Sequence, residues 1–389
     1  MVNFNQLAKE TQEYVIGLRR EFHTFPELSG KEIKTSARIQ EELTKLNIPF
    51  EVVENYSVVG KICGGQPGKK VAIRGDIDAL PVAEETDVPF KSQNPGVMHA
   101  CGHDSHIAML LGVGKILMQK QKELKGTVYL CFQLGEEVGG GVFEIIKYLQ
   151  AQGGVDLAFG THIMSEVPTG SVTIHDGATF AGGTGFQLEV VGRGGHGSSP
   201  WAAIDPIKPL CEILLRYTSM NINYFSPFRS VVISPCVIKG GDTANVIPEK
   251  AAFQGTIRFF NEDVYDEVKG NMEKIANEIA ASYGATANLI MPQAMAPIIN
   301  DAASVGFAKK VLEDMPNLQL YNRDPFMLSD NFAYLMKAFK GFYCLLGTGN
   351  SELHTDVAHH SPSFKLDEDS FVLGCEFMSS CAFNYLNEN

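Results

Sequence analysis

Several apolar runs in this chain end on residues that hold metals or move protons. VAIRG (71–75) runs into Asp76 and Asp78, TVYLCFQ (127–133) into Glu136 and Glu137, and LAFG (157–160) into His162. Each run reads as a strand, so these side chains sit where strands give out. In open α/β sheets the ligand crevice lies beyond the carboxyl ends of the strands. Together with a dense His/Cys cluster at 99–106, independent segments point into one cleft.

That cluster reads His99-Ala-Cys-Gly-His-Asp-Ser-His106. Cys101 and His103 stand two apart, just before a helix opening near Asp104. A helix N-terminus lowers the pKa of a nearby thiol, which favours the thiolate a metal binds. Gly102 lets the backbone turn so that both side chains face one point. A lone Cys or His is commonly a packed core residue, but the two together, beside two further histidines, point to metal. Glu136-Glu137 follows an apolar strand among glycines at 135 and 139–141. One carboxylate of such a pair can bind metal while its neighbour acts as general base. Asp76 and Asp78 could be ligands, partners of ligating histidines, or turn residues; the partner role is favoured, because ligating imidazoles donate their other nitrogen to carboxylates. One of His359 and His360, after the turn-rich Gly347-Thr-Gly-Asn350, is the natural C-terminal ligand. The donors combine N, O and S, a set suited to zinc-like divalent ions. Three further positions, His196 in a glycine-rich loop, Asn245 before a strand and Arg258 ending one, carry no functional signal from spacing alone.

The elements that would position these residues follow from periodicity. Helical spacing covers 5–22, 30–46, 104–120 and 141–150, alternating with the strand runs 58–63, 71–75, 127–133 and 157–160. Alternation with continuous apolar strands predicts an α/β domain with a mostly parallel sheet flanked by helices. The middle differs. Strands at 185–193, 229–239, 250–260 and 285–292 and helices at 204–220 and 262–282 run in the order βαββαβ, the split-βαβ pattern of a ferredoxin-like α+β layer. The expected organisation is a catalytic domain of residues 1–181 and 293–389 interrupted by an inserted domain of residues 182–292.

Bulk properties narrow the class. The 389 residues are 44% apolar and 20% charged, with formal net charge −13. An acidic chain repels phosphate backbones, which argues against a nucleic-acid partner. No apolar run reaches the roughly 20 residues of a membrane helix, and the N-terminus has no apolar signal-peptide core. The eight cysteines are scattered, several inside apolar runs, and read as reduced thiols of a cytoplasmic protein.

The chain resembles the aminoacylase, hippurate hydrolase and auxin-conjugate amidohydrolase branch of the two-metal carboxypeptidase family, almost end to end. The resemblance rests on Arg19-Arg-Glu-Phe-His-Thr-Phe-Pro-Glu27, Arg74-Gly-Asp-Ile-Asp-Ala-Leu-Pro81, Met98-His-Ala-Cys-Gly-His-Asp-Ser-His106, Gly160-Thr-His162, Gly192-Arg-Gly-Gly-His196, Asn245-Val-Ile-Pro248, Gly347-Thr-Gly-Asn350 and His360-Ser-Pro. It implies two divalent ions per subunit (zinc, manganese, cobalt or nickel) on Cys101, His103, Glu137, His162 and His360, with Glu136 as general base. It implies a zinc-peptidase-like fold with a lid domain that dimerises in many relatives, His196 reaching the partner's active site. Asn245 and Arg258 would hold substrate. Three departures stand out: Leu134-Gly135 where relatives usually carry Pro-Ala, Trp201 where many have His, and Ser329-Asp-Asn-Phe332 for a commoner Ser-Glu-Asp-Phe. The last two bear on the expected substrate contacts.

The expected activity is cleavage of the amide bond of a small N-acyl amino acid. The rivals are a dipeptidase, an N-acetyl-diaminopimelate-type deacetylase, and a non-catalytic binding protein of the same fold.

Overall fold

A computed structural model describes residues 2–226 and 228–388. The chain divides into two compact units, one of Met1–Thr179, Ile299–Asp324 and Asn331–Asn389, the other of Phe180–Ile298 and Pro325–Asp330. The short segment Pro325–Asp330 joins the second unit because Phe326 bridges Phe180 and accepts the Ala181 amide at 3.0 Å.

The first unit is built on an eight-stranded sheet. Its order is Phe50–Val53, Ser57–Cys63, Lys125–Gln133, Gln66–Asp76, Leu157–Pro168, Gly341–Gly349, Ser171–Thr173, Gln319–Leu320. The four central strands, from Lys125–Gln133 to Gly341–Gly349, are mutually parallel, and the strand next to them on each side, Ser57–Cys63 and Ser171–Thr173, runs antiparallel. Residues 71–76 are buried without alternation, as a strand covered on both faces requires. Phe132, Phe159 and Phe342 fill the core, the last two from adjacent strands and stacked at 5.0 Å. Each such ring contributes about 1.5–3 kcal/mol of burial free energy.

Helix Phe4–Thr24 buries Phe4, Ala8, Thr11, Val15, Leu18 and Phe22, a stripe at i+3/i+4 spacing, and Asn3 caps it by accepting the Gln6 amide. Helix His103–Gln119 is buried on nearly every side as far as Leu117. It packs against Phe4–Thr24 and against the last helix, Ser370–Asn387.

The second unit is a four-stranded antiparallel sheet in the order Val231–Gly240, Lys250–Phe259, Gly182–Val191, Thr286–Ile290. Helices Ile207–Thr218 and Val264–Ser282 connect the strands, which gives the ferredoxin-like arrangement expected from βαββαβ. Its core is separate from that of the first unit and includes Leu188, Val190, Ile213, Phe253, Ile257, Val268 and Met272. Among the described residues no helix is long and apolar enough to cross a membrane.

Candidate active site

Sheet register gathers the polar strand ends. Asp76 pairs with Gln133, and Arg74 pairs with Gly160, so Asp76 and His162 each lie two residues beyond that pair. His162 does not follow its strand, as the sequence suggested. It lies inside Leu157–Pro168, which is prolonged by pairing with Gly341–Gly349, Leu345 opposite His162.

Above this row the other donors arrive from loops. Gly102 has φ +90° and starts the helix, and a Cβ there would meet Ile163 Cδ1 at 2.6 Å. Only glycine suits both demands, and it sets Cys101 and His103 on either side of a tight turn. Gly135, at φ +62°, opens the short 3-10 turn Glu136–Val138. His360 is itself in the left-handed region, at φ +64°, its amide on the Ala100 carbonyl at 2.8 Å. A non-glycine residue held there is uncommon.

The resulting donors form interlocking groups, each with ligand atoms within 4.8 Å of one another: Cys101, His103 and His162; Cys101, Glu137 and His360; His103, Glu136 and Glu137; and Asp76, His103 and His106. Shared members tie all five expected ligands into one cluster. Cys101 Sγ lies 3.6 Å from His162 Nε2, and His360 Nε2 lies 3.3 Å from Glu137 Oε1. Among the described residues, buried His103 Nε2 and Glu137 Oε1 have no hydrogen-bond partner. A buried imidazole nitrogen and a buried carboxylate oxygen that make no hydrogen bond, amid thiol, imidazole and carboxylate donors, are what a divalent cation would satisfy, so the residues fit a metal.

The neighbours orient these donors. His103 Nδ1 lies 3.0 Å from the Asp78 carbonyl and 3.1 Å from its Oδ1. Asp78 Oδ2 also accepts the Glu137 amide at 3.0 Å and the Ser29 hydroxyl at 2.7 Å. Asp76 takes His106 Nδ1 at 2.5 Å and Arg74 Nη1 at 2.7 Å, while His106 Nε2 accepts the Ile163 amide at 3.0 Å. Both nitrogens of His106 are therefore engaged within the protein. His359 Nε2 accepts the Ser165 amide at 3.2 Å, so that nitrogen is already engaged within the protein.

Charges follow the same logic. Burial opposes ionisation of Asp76, yet Arg74, His103 and His106 hold its carboxyl well below the usual range. Burial likewise opposes Asp78, and His103 and Ser29 hold it low. His103 is driven up by Asp76, Cys101 and Asp78 against its desolvation. Burial and the neighbouring imidazoles His106 and His359 push His162 well below its ordinary value, which keeps it neutral. Cys101 corrects an expectation: burial raises its thiol, and this outweighs His103, so the helix start alone does not yield a thiolate.

Glu136 is buried and its Oε1 accepts the Asn331 amide at 3.1 Å. Asn331 Oδ1 accepts from Gln133 Nε2 at 2.7 Å and Arg74 Nη2 at 3.2 Å. Asn331, read from sequence as bearing on substrate preference, thus also supports the carboxylate pair. Only its departure from the commoner Asp drew attention to it. Gln133 and Ser29 gave no signal.

The remaining expected residues lie in the second unit. His196 is exposed on the short strand Gly195–His196, paired with Val246–Ile247, and its Nδ1 receives Ser198 Oγ at 2.8 Å. Asn245 is adjacent, its carbonyl accepting the Gly197 amide at 2.8 Å. Arg258 is not with them. It pairs with Gly183, whereas Lys250, near the His196 loop, pairs with Val191; eight residues of strand separate the two ends by about 26 Å. Burial lowers the Arg258 pKa, and Nη1 donates to the Ile257 carbonyl at 3.0 Å. Trp201, in the short 3-10 turn Pro200–Ala202 after the loop, is 82% exposed.

A model of the peptidase family M20/M25/M40 matches residues 72–384. The chain is 38% identical to thermostable carboxypeptidase 2 of Saccharolobus solfataricus, over 98% of each protein. It is 32% identical to the N-acetyl-L-cysteine deacetylase of Bacillus subtilis, over all of this chain and 91% of that one. A dinuclear metal-binding M20 peptidase of Bacillus subtilis superposes with TM-score 0.85 at 30% identity, over 98% of this chain and 100% of that chain. With its parallel sheet, its clustered donors and a match over most of its length, the chain belongs to peptidase family M20/M25/M40.

Proposed function

We propose that this protein is a metal-dependent amidohydrolase that cleaves N-acyl amino acids to a carboxylate and a free amino acid. The observation that carries this reading is the pair Glu136–Glu137 set against Cys101, His103, His162 and His360, with orphaned atoms on His103 and Glu137. Relatives named a carboxypeptidase and an N-acetyl-L-cysteine deacetylase support this reading.

Cys101, His103, Glu137, His162 and His360 would hold two divalent ions, which when bound supply Lewis acidity toward the amide carbonyl and lower the pKa of water. Glu136, with one oxygen anchored on the Asn331 amide, takes a proton from water as its oxygen attacks the carbonyl carbon. It returns that proton to the nitrogen as the C–N bond breaks. Asp78 holds His103 in the tautomer that leaves Nε2 free.

The second unit serves, in this reading, as lid and dimerisation surface. His196 would stabilise the developing oxyanion in a partner's site, Asn245 beside it would hold substrate, and Arg258 would meet the carboxylate. Arg258 lies at the end of strand Lys250–Phe259 far from the His196 loop, which supports delivery by two subunits. Strand Val231–Gly240 is an unpaired edge with exposed Val232, Val237 and Ile238. An open apolar edge of this kind is a ready partner surface. All eight cysteines are free, in keeping with a cytoplasmic location.

The test is hydrolysis of a panel of acetyl, benzoyl and longer N-acyl amino acids against dipeptides, after loading with each metal. Preference for dipeptides throughout would move the assignment to a dipeptidase.

A further inference from the structure

The loop between the first two helices, residues 25–32, carries no residue of the chemistry above, yet it touches the site at three points. The Glu27 carbonyl accepts the Ala79 amide at 2.8 Å. Ser29 Oγ donates to Asp78 Oδ2 at 2.7 Å. The Gly135 amide donates to Glu32 Oε1 at 2.7 Å. The loop is itself tied down, because Glu27 Oε2 accepts the Thr35 amide at 2.8 Å and the Thr35 hydroxyl at 3.0 Å.

Glu32 is an unusual residue to place here. It is 0% exposed, and among the described residues its Oε2 has no hydrogen-bond partner. Burying a carboxyl half-satisfied is unfavourable, and desolvation pushes Glu32 up to about 6. Beside burial, the groups that act on it are the Asp78 carboxylate, which raises it, and the backbone amides of Gly30, Gly135 and its own residue, which lower it. What it does provide is a fixed acceptor for Gly135, the left-handed residue that opens the turn carrying Glu136 and Glu137. On the other side of Glu136, the Glu137 amide is held by Asp78. The amides on both sides of Glu136 are thus pinned by carboxylates, and both carboxylates answer to the same loop, one by belonging to it and one through Ser29.

We propose that Glu32 and Ser29 are positioning residues for hydrolysis, Glu32 by locking the Gly135 turn that aims the Glu136–Glu137 pair and Ser29 by seating Asp78 against that turn. The inference rests on the amidohydrolase reading for its kinetic consequence, but its structural half does not. A residue that only supported folding would alter stability without changing the local protection of this turn or kcat alone.

The experiment compares wild type, Glu32→Ala, Glu32→Gln and Ser29→Ala. Amide hydrogen exchange is followed in the metal-free proteins over residues 133–141, with steady-state kinetics on the metal-loaded enzymes. Losing one hydrogen bond to a charged acceptor should speed exchange at Gly135 by about ten-fold in Glu32→Ala and lower kcat by about ten-fold, with KM within about two-fold. Glu32→Gln keeps an acceptor oxygen and should restore both to within about two-fold. Ser29→Ala, a smaller change that also stands in should Glu32→Ala fail to fold, should lower kcat about three-fold at constant KM. Unchanged exchange in Glu32→Ala, a Gln variant no better than Ala, or a Ser29→Ala effect confined to KM would each overturn the proposal. If the wild type itself hydrolyses no N-acyl amino acid, the functional reading fails, while the exchange measurement still decides whether the brace exists.

Discussion

Replacing Asp78 with Asn probes how the cluster is held. Asp78 Oδ2 receives two donors, the Ser29 hydroxyl and the Glu137 amide, and Oδ1 faces His103 Nδ1 at 3.1 Å. In Asp78→Asn the amide oxygen is needed where the two donors are, so the NH₂ group is left against His103. With a donor opposite it, Nδ1 is favoured as the acceptor, which moves the ring proton to Nε2 and occupies the atom otherwise free for a cation. The Asp78 carbonyl, 3.0 Å from Nδ1, still favours the original tautomer and limits the damage. Changes to partners of ligating histidines cost about 10–100-fold in metal affinity or activity, roughly 1.4–2.7 kcal/mol. The competing carbonyl places the expectation near the lower end, about ten-fold. The assay is metal titration against a competing chelator, with thermal unfolding as a control for global damage. Wild-type metal affinity in a folded Asp78→Asn protein would refute the argument that Asp78 sets the His103 tautomer.

Glu136→Gln should keep metal stoichiometry by elemental analysis and remove most of kcat, a loss of at least about 100-fold for a general base; near-normal turnover would move the base elsewhere. His196→Ala should lower kcat more than it raises KM, because its contribution belongs to the transition state, and inactive mixtures of His196→Ala with Glu136→Gln should regain activity if His196 acts across a dimer. Gly102→Ala should be strongly destabilising, since it adds a left-handed backbone penalty and a 2.6 Å contact with Ile163; a shift in Tm under about 2 °C would contradict this. Glu32 is raised to about 6, so its neutral form favours folding below the unfolded value near 4.5, and that benefit is lost as pH rises through 6. Denaturant titrations should therefore show Glu32→Gln gaining about 1–2 kcal/mol on wild type between pH 4 and pH 7.

The catalytic sheet was legible because its central strands are buried on both faces, which leaves apolar runs such as 71–75 and 127–133 that end on polar residues. The ferredoxin-like unit was legible from the order of its alternating strands. The donor cluster could be found because Cys101 and His103 stand at a helix start and Glu137 follows an apolar strand. What the sequence did not convey was pairing. His162 sits mid-strand because a distant strand, Gly341–Gly349, extends it. Asn331 reaches Glu136 across 195 positions, and Gly135 reaches Glu32 across 103. The two ends of strand Lys250–Phe259 separate Arg258 from the His196 loop, although both looked like members of one substrate site. The Cys101 thiol is raised by burial that a local helix-start argument does not include.

The central claim is that one cluster holds two divalent ions and directs them to the amide of an N-acyl amino acid. Its most direct test combines metal stoichiometry with hydrolysis of the N-acyl amino acid panel, before and after chelation and reloading. The expected result is two ions per subunit, hydrolysis that disappears with chelator and returns with metal, and loss of one or both ions in Cys101→Ala. Full activity in protein stripped of divalent metal, or two ions retained in Cys101→Ala with His103→Ala, would contradict it.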